Sequence, residues 1–142
     1  MSDAIADCGA LLDSVLPLAR QLLTELGRFS PFGAGMRPDG QVVQIGVYHE
    51  GDPMRPTEMI ALLKGAFGAS ARAGEYKATA VACDAWVTFP VTGERTDAIT
   101  VSLEHRDDYA IKVVVPYRLD AGELIVGTAY TEEEEAEIFP AR

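Results

Sequence analysis

The stretch Asp97-Ala-Ile-Thr-Val-Ser-Leu-Glu-His-Arg-Asp-Asp-Tyr-Ala-Ile-Lys-Val-Val-Val-Pro-Tyr117 decides the fold. Apolar residues alternate along both of its halves. Ile99, Val101, Leu103 and His105 share one side of the first half, and Tyr109, Ile111, Val113 and Val115 share one side of the second. A period of two marks strands with one buried face. Residues opposed across an antiparallel pair share a face, so the two sets must pair with each other, which requires an odd-numbered loop. Arg106-Asp107-Asp108 supplies it, with Asp108 in the left-handed conformation that Asp tolerates. Leu103 then opposes Ile111, and Val101 opposes Val113.

Lys77 to Phe89 reads as the strand before this pair. The same parity argument, applied to Val81, Cys83, Ala85, Val87 and Phe89, predicts a five-residue loop from Thr92 to Thr96. Val87 then opposes Val101, and Cys83 opposes His105. Asp84, Trp86, Thr100, Ser102, Glu104 and Lys112 fall together on the outer face. After the pair, the Asp120-Ala121-Gly122 turn leads into a last strand, Glu123 to Tyr130.

Upstream, Ala4 to Leu26 has the three/four spacing of an amphipathic helix. Leu12, Val15, Leu16, Ala19, Leu22, Leu23 and Leu26 form its buried side, and Gly27 stops it. Pro17 leaves two readings open: a kink in one helix, or the first turn of a second helix capped by Asp13 or Ser14. Phe29 to Met36 and Gln41 to Tyr48 form a hairpin around the Pro38-Asp39-Gly40 turn, where Pro fixes φ and Gly supplies positive φ. His49 to Pro53 is loop. Pro56 opens a second helix at its first position, with Met59, Ile60, Leu62, Leu63, Ala66 and Phe67 buried and Gly74 at its end. The order α-β-β-α-β-β-β-β predicts an α+β fold, an antiparallel sheet with helices packed on it.

The 142 residues suit a single globular domain, 1–142, with an acidic tail at 131–142. Thr131 with Glu134 also fits a capping box that starts a short helix, and Ile138-Phe139-Pro140 is apolar enough to tuck back onto the body. The net charge of −10 argues against nucleic acid and anionic membrane as partners and suits a basic protein. No apolar run reaches the ~18 residues of a membrane helix, and the start of the chain lacks a basic leader, so a cytoplasmic location is expected.

Candidate chemistry is sparse. Cys8 and Cys83 have no ligand-like spacing. Cys83 opposite His105 would make a thiol–imidazole pair, but no glycine-rich nucleophile turn surrounds the cysteine, and acidic neighbours disfavour a thiolate. His49-Glu50-Gly51-Asp52 and Glu104-His105-Arg106-Asp107-Asp108 gather histidine with carboxylates. Neither has metal-ligand spacing, and Glu104 and His105 point to opposite faces of their strand, so no metal is expected. Gly33-Ala-Gly35 lacks the spacing of a dinucleotide or phosphate loop, and no cofactor is expected. Trp86 is the only tryptophan, and a large aromatic on a polar-rimmed face marks an interface.

Two stretches carry a resemblance. Phe29-Ser-Pro-Phe-Gly-Ala-Gly-Met-Arg-Pro-Asp-Gly40, after a helix ending Leu-Leu-Thr-Glu-Leu-Gly27, resembles the first half of a family of small bacterial proteins. Lys77 onward, with Gly-Glu-Arg-Thr-Asp-Ala-Ile99 and Leu103 to Tyr117, resembles its second half. The resemblance covers most of the chain and implies no catalytic residue, because no biochemical function is assigned to that family. The element order is also similar to profilin-like and roadblock modules, and more loosely to small acidic secretion chaperones, a likeness of fold that transfers no activity.

These residues predict a non-enzymatic protein-interaction module of adaptor, immunity-like or chaperone-like kind, acting on a protein partner or on a second copy as a dimer. Its expected binding residues are Trp86, Asp84, Glu104, Lys112, His49 and His105. The alternative is a small-molecule-binding protein or minor enzyme with a pocket between helices and sheet, near His49 or His105.

Overall fold

Over residues 3–46 and 54–139, the part described by the computed structural model, the chain forms two helices and seven strands. His49 and the loop expected around it lie outside the described residues. Helix α1 (Ala4–Leu26) runs unbroken through Pro17 and ends at Gly27, whose positive φ of 78° lets its N–H close back on Leu23 O. Its buried residues are Ala4, Cys8, Leu11, Val15, Ala19 and Leu23, one stripe at spacings of three and four. The stripe is rotated from the expected one: Leu12, Leu16 and Leu22 sit at its margin, and Leu26 is exposed. Fully burying a Leu or Val contributes about 1.5–3 kcal/mol, so this face holds α1 down.

Strands β1 (Phe32–Met36) and β2 (Val42–Ile45) form the expected hairpin. Its turn closes by an Asp39 side chain that accepts from Gln41 N–H, with Gly40 at φ 93°. Helix α2 (Pro56–Arg72) starts on Pro56 and is followed by Gly74 at φ 75°. Strands β3 (Ala78–Thr88), β4 (Arg95–His105), β5 (Tyr109–Asp120), β6 (Glu123–Val126) and β7 (Tyr130–Glu133) complete an antiparallel sheet. Its order is β2-β1-β3-β4-β5-β6, with β7 also on β5. The β4–β5 register is the expected one, Leu103 against Ile111 and Val101 against Val113, and Asp108 has φ 58°.

The β3–β4 register differs from expectation. Thr88 pairs with Arg95, Ala82 with Val101, and Cys83 with Thr100, so neither Val87–Val101 nor Cys83–His105 forms. The loop is 89–94, six residues rather than five, closed by Phe89 N–H donating to Glu94 O at 2.8 Å. An even loop exchanges the faces: Ala78, Ala80 and Ala82 lie under α1 with Ile99, Val101 and Leu103, while Val81 and Cys83 lie on the other side with α2. Small alanines fit directly beneath a helix, and they carry too little hydrophobic signal to outvote Val81 and Val87 in the sequence. The outer face expected from parity therefore divides. Asp84 and Trp86 belong to the α1 face, and Thr100, Ser102, Glu104 and Lys112 to the α2 face.

The end of the chain also departs from expectation. Residues 127–129 stand against only 115–116, a β-bulge that separates β6 from β7 and reverses the parity between them. Thr131 to Glu133 is strand, neither helix nor free tail, and Ile138 and Phe139 are buried against Leu63, Phe67 and Val81.

The helices lie on opposite faces, and two glycines of β1 make that fit. Phe32, Ala34 and Met36 point to α1, while a Cβ on Gly33 would lie 2.7 Å from the Phe67 ring and 3.0 Å from Ala80 O. One on Gly35 would lie 2.6 Å from the Tyr76 ring. Phe67 and Tyr76 pack edge to face, 5.9 Å apart. Gly33→Ala is expected to destabilise by about 1–3 kcal/mol, the range for overpacking a filled core. Gly65→Ala, in α2 with open space at its Cβ, is expected to stabilise by about 0.5–1 kcal/mol. Urea unfolding of both variants checks the pair, and equal effects would contradict this packing.

Candidate functional site

The α1 face of the sheet extends past the end of the helix. Where the chain leaves Gly27, Phe29 N–H donates to Asp84 Oδ2 at 3.4 Å, and the Tyr117 hydroxyl donates to Asp84 Oδ1 at 2.6 Å. Burial and then the Asp84 hydrogen bond and charge push the Tyr117 hydroxyl well above its usual pKa. Asp84 thus closes the core and has little left to offer a partner. Two residues on, Trp86 lies beyond the end of the helix and remains 55% exposed. The Arg95 guanidinium sits 5.5 Å from its ring centre, and Asp97 faces it across the strands. An Arg over an indole is a cation–π pair that orients the ring without covering it.

On the opposite face, Glu104 is 4% exposed and holds the end of the chain. Glu137 and Ile138 N–H groups each donate to Glu104 Oε1 at 2.9 Å, and Phe139 N–H reaches the same oxygen at 3.4 Å. Three successive N–H groups converging on one anion make a backbone nest. Lys64 Nζ meets Glu137 at 3.0 Å, and Ser102 Oγ donates to Glu134 at 3.0 Å, so α2 and β4 both grip the segment. Burial raises the Glu104 pKa, the three N–H groups pull it down and Glu134 pushes it up; the net shift is upward. Lys112 lies on this face, opposite Ser102 and Glu132.

His105, also buried, is tied at both nitrogens. Asp107 N–H donates to Nδ1 at 3.1 Å, which leaves Nε2 to donate to Asp7 Oδ2 at 2.9 Å. Lys77 Nζ joins Asp7 at 3.3 Å. Burial works against the Asp7 carboxylate, but the bonds and charges of His105 and Lys77 outweigh it and lower its pKa. The cluster pins the start of α1 to β4 and to Lys77, the residue before β3. The neighbouring thiol of Cys8 is pushed by burial, then by Asp7 and Glu104, up to about 12, and burial also raises that of Cys83. Neither is an activated nucleophile.

A groove of about 1020 Å³ was not signalled by any motif. One wall is the α1 stripe Asp13, Pro17, Arg20 and Glu25, and the other is the β5–β6 turn, 121–123, with Leu16 and Leu124 between them. In the sequence Asp13 and Pro17 read only as a helix cap and a kink or first turn. Only the fold brings the turn alongside it.

Among the described residues, the expected binding residues therefore do not converge. Of those described, Trp86 is exposed and its side chain is held by no hydrogen bond to the fold, while Asp84, Glu104 and His105 hold the fold together. Among the described residues no three His, Cys, Asp or Glu side chains are grouped to hold a metal ion, and no helix is long and apolar enough to cross a membrane. Comparison with family models, with curated proteins and with solved structures finds no match to the chain.

Glu104 has a testable pH signature. Its folded pKa is raised, so its contribution to stability is fully present below the normal carboxylate range and is lost as pH rises through the raised value. Glu104→Gln keeps an acceptor oxygen for the nest without the buried charge. It is expected to gain on the wild type in urea unfolding as pH rises from acid to neutral. Glu104→Ala strands the three donors and is expected to cost about 1–3 kcal/mol. A wild-type advantage over Gln that grows with pH would contradict the account.

Proposed function

We propose that this protein is a non-enzymatic interaction module, of adaptor, inhibitor or small-chaperone kind, which docks through the end of the sheet that carries Trp86. The observation behind this reading is the exposed indole under the Arg95 guanidinium. Among the described residues α1 packs on one face of the sheet, and α2 with residues 137–139 packs on the other. Trp and Arg are the residue types that most often dominate binding energy at protein interfaces. Leaving an indole in water forgoes about 25 cal/mol for each Å² that a partner would cover. The resemblance to small bacterial proteins belongs to the same proposal and brings no catalytic group with it.

Trp86→Ala tests the reading. Self-association is followed by sedimentation velocity, and partner capture by affinity purification from the native host. Loss of one of these is expected, with stability within about 0.5 kcal/mol of the wild type, as for an exposed side chain. A stability loss of about 3–5 kcal/mol, the cost of truncating a core aromatic, would contradict the reading. So would two unchanged association profiles.

A further inference from the structure

The groove beside α1 has the length and the charge to take an extended basic segment. Asp13 and Glu25 lie at its two ends, twelve positions apart, about 18 Å along a helix that rises about 1.5 Å per residue. An extended segment advances about 3.3 Å per residue, so about five or six residues span it. Carboxylates stand at both ends and a third, Glu123, on the opposite wall, against one cation, Arg20. Between them Leu16 and Leu124, both half-buried, make an apolar floor.

Pro17 leaves one helical hydrogen bond unmade. It has no N–H to donate to Asp13 O, where any other residue would close the helical hydrogen bond. Arg20, midway along the wall, is a fork of donors of the kind that carbonyl oxygens accept.

We propose that this groove binds a short extended segment of a partner protein, with a basic residue near each end and an apolar residue between them. Charge complementarity sets the choice: three carboxylates against one guanidinium, on a chain of net charge −10. The inference rests on the interaction-module reading and names the chemistry of the partner. It uses a surface separate from Trp86, since none of the groove's walls contains that residue.

The test uses the full chain and a capped hexapeptide, Lys-Ser-Leu-Thr-Ser-Arg, with a control in which both basic residues are Glu. Amide chemical shifts are followed in a titration. Saturable shifts confined to 13–25 and 121–124 are expected with the basic peptide and absent with the control. The triple variant Asp13→Asn, Glu25→Gln, Glu123→Gln changes only exposed side chains and is expected to weaken binding about tenfold, as both exposed charge pairs to the peptide are lost. Raised salt should weaken the wild type more than this variant. No shifts, shifts elsewhere, or equal binding by the triple variant would overturn the proposal. Trp86→Ala should leave the peptide titration unchanged. Loss of binding in that variant would move the docking site to the tryptophan and overturn the groove, while the interaction-module reading would stand.

Discussion

The pairing of β3 with β4 across eleven positions, from Ala78 opposite His105 to Thr88 opposite Arg95, is the constraint on which the rest of this molecule depends. A strand has a period of two, so a shift of one residue in this register would turn every side chain of β3 over. The observed register sets three alanines beneath α1, where a helix needs small neighbours, and aims Val81 at Phe67 and Phe139 on the far side. It also determines where function is available. Asp84 arrives at the end of the helix, where it meets Tyr117 and Phe29, and Trp86 arrives one step beyond, where it stays more than half exposed.

Much of this was legible in the sequence. The β4–β5 pair followed from parity, because one face of that pair is much more apolar than the other and only an odd-numbered loop satisfies both strands. The hairpin at Asp39, the helix stop at Gly27 and the helix start at Pro56 followed from backbone chemistry at single residues. What was not legible has one physical origin, the coverage of both sheet faces. Between two helical layers a strand such as Ala78-Thr-Ala-Val-Ala-Cys83 is buried on both sides and ceases to alternate, so its direction cannot be read from hydrophobicity. The acidic run at 131–134 misleads for a related reason. Its composition resembles a solvated tail, but backbone pairing with β5 makes part of it a strand, and a bulge at 127–129 shifts its register.

The candidate site was legible only in part. Trp86 was conspicuous as the sole tryptophan, and the fold leaves it exposed. Glu104 and His105 were conspicuous as polar residues in an apolar strand, and they prove to be fasteners, one holding the backbone of 137–139 and the other holding Asp7 of α1. A buried polar group that is fully hydrogen-bonded specifies how layers fit together. The groove could not be read at all, since its walls are more than ninety residues apart in the chain. The surface left for partners is thus what the fasteners do not use: an indole at one end of the sheet and an acidic groove along one flank of α1.

The measurement that tests this account most directly is the pattern of nuclear Overhauser contacts between β3 and β4. The account predicts contacts joining Trp86 to Asp97, Cys83 to Thr100 and Ala82 to Val101. Contacts joining Cys83 to His105 and Val87 to Val101 would contradict it, because Trp86 would then change faces and the docking end of the sheet would lose its tryptophan.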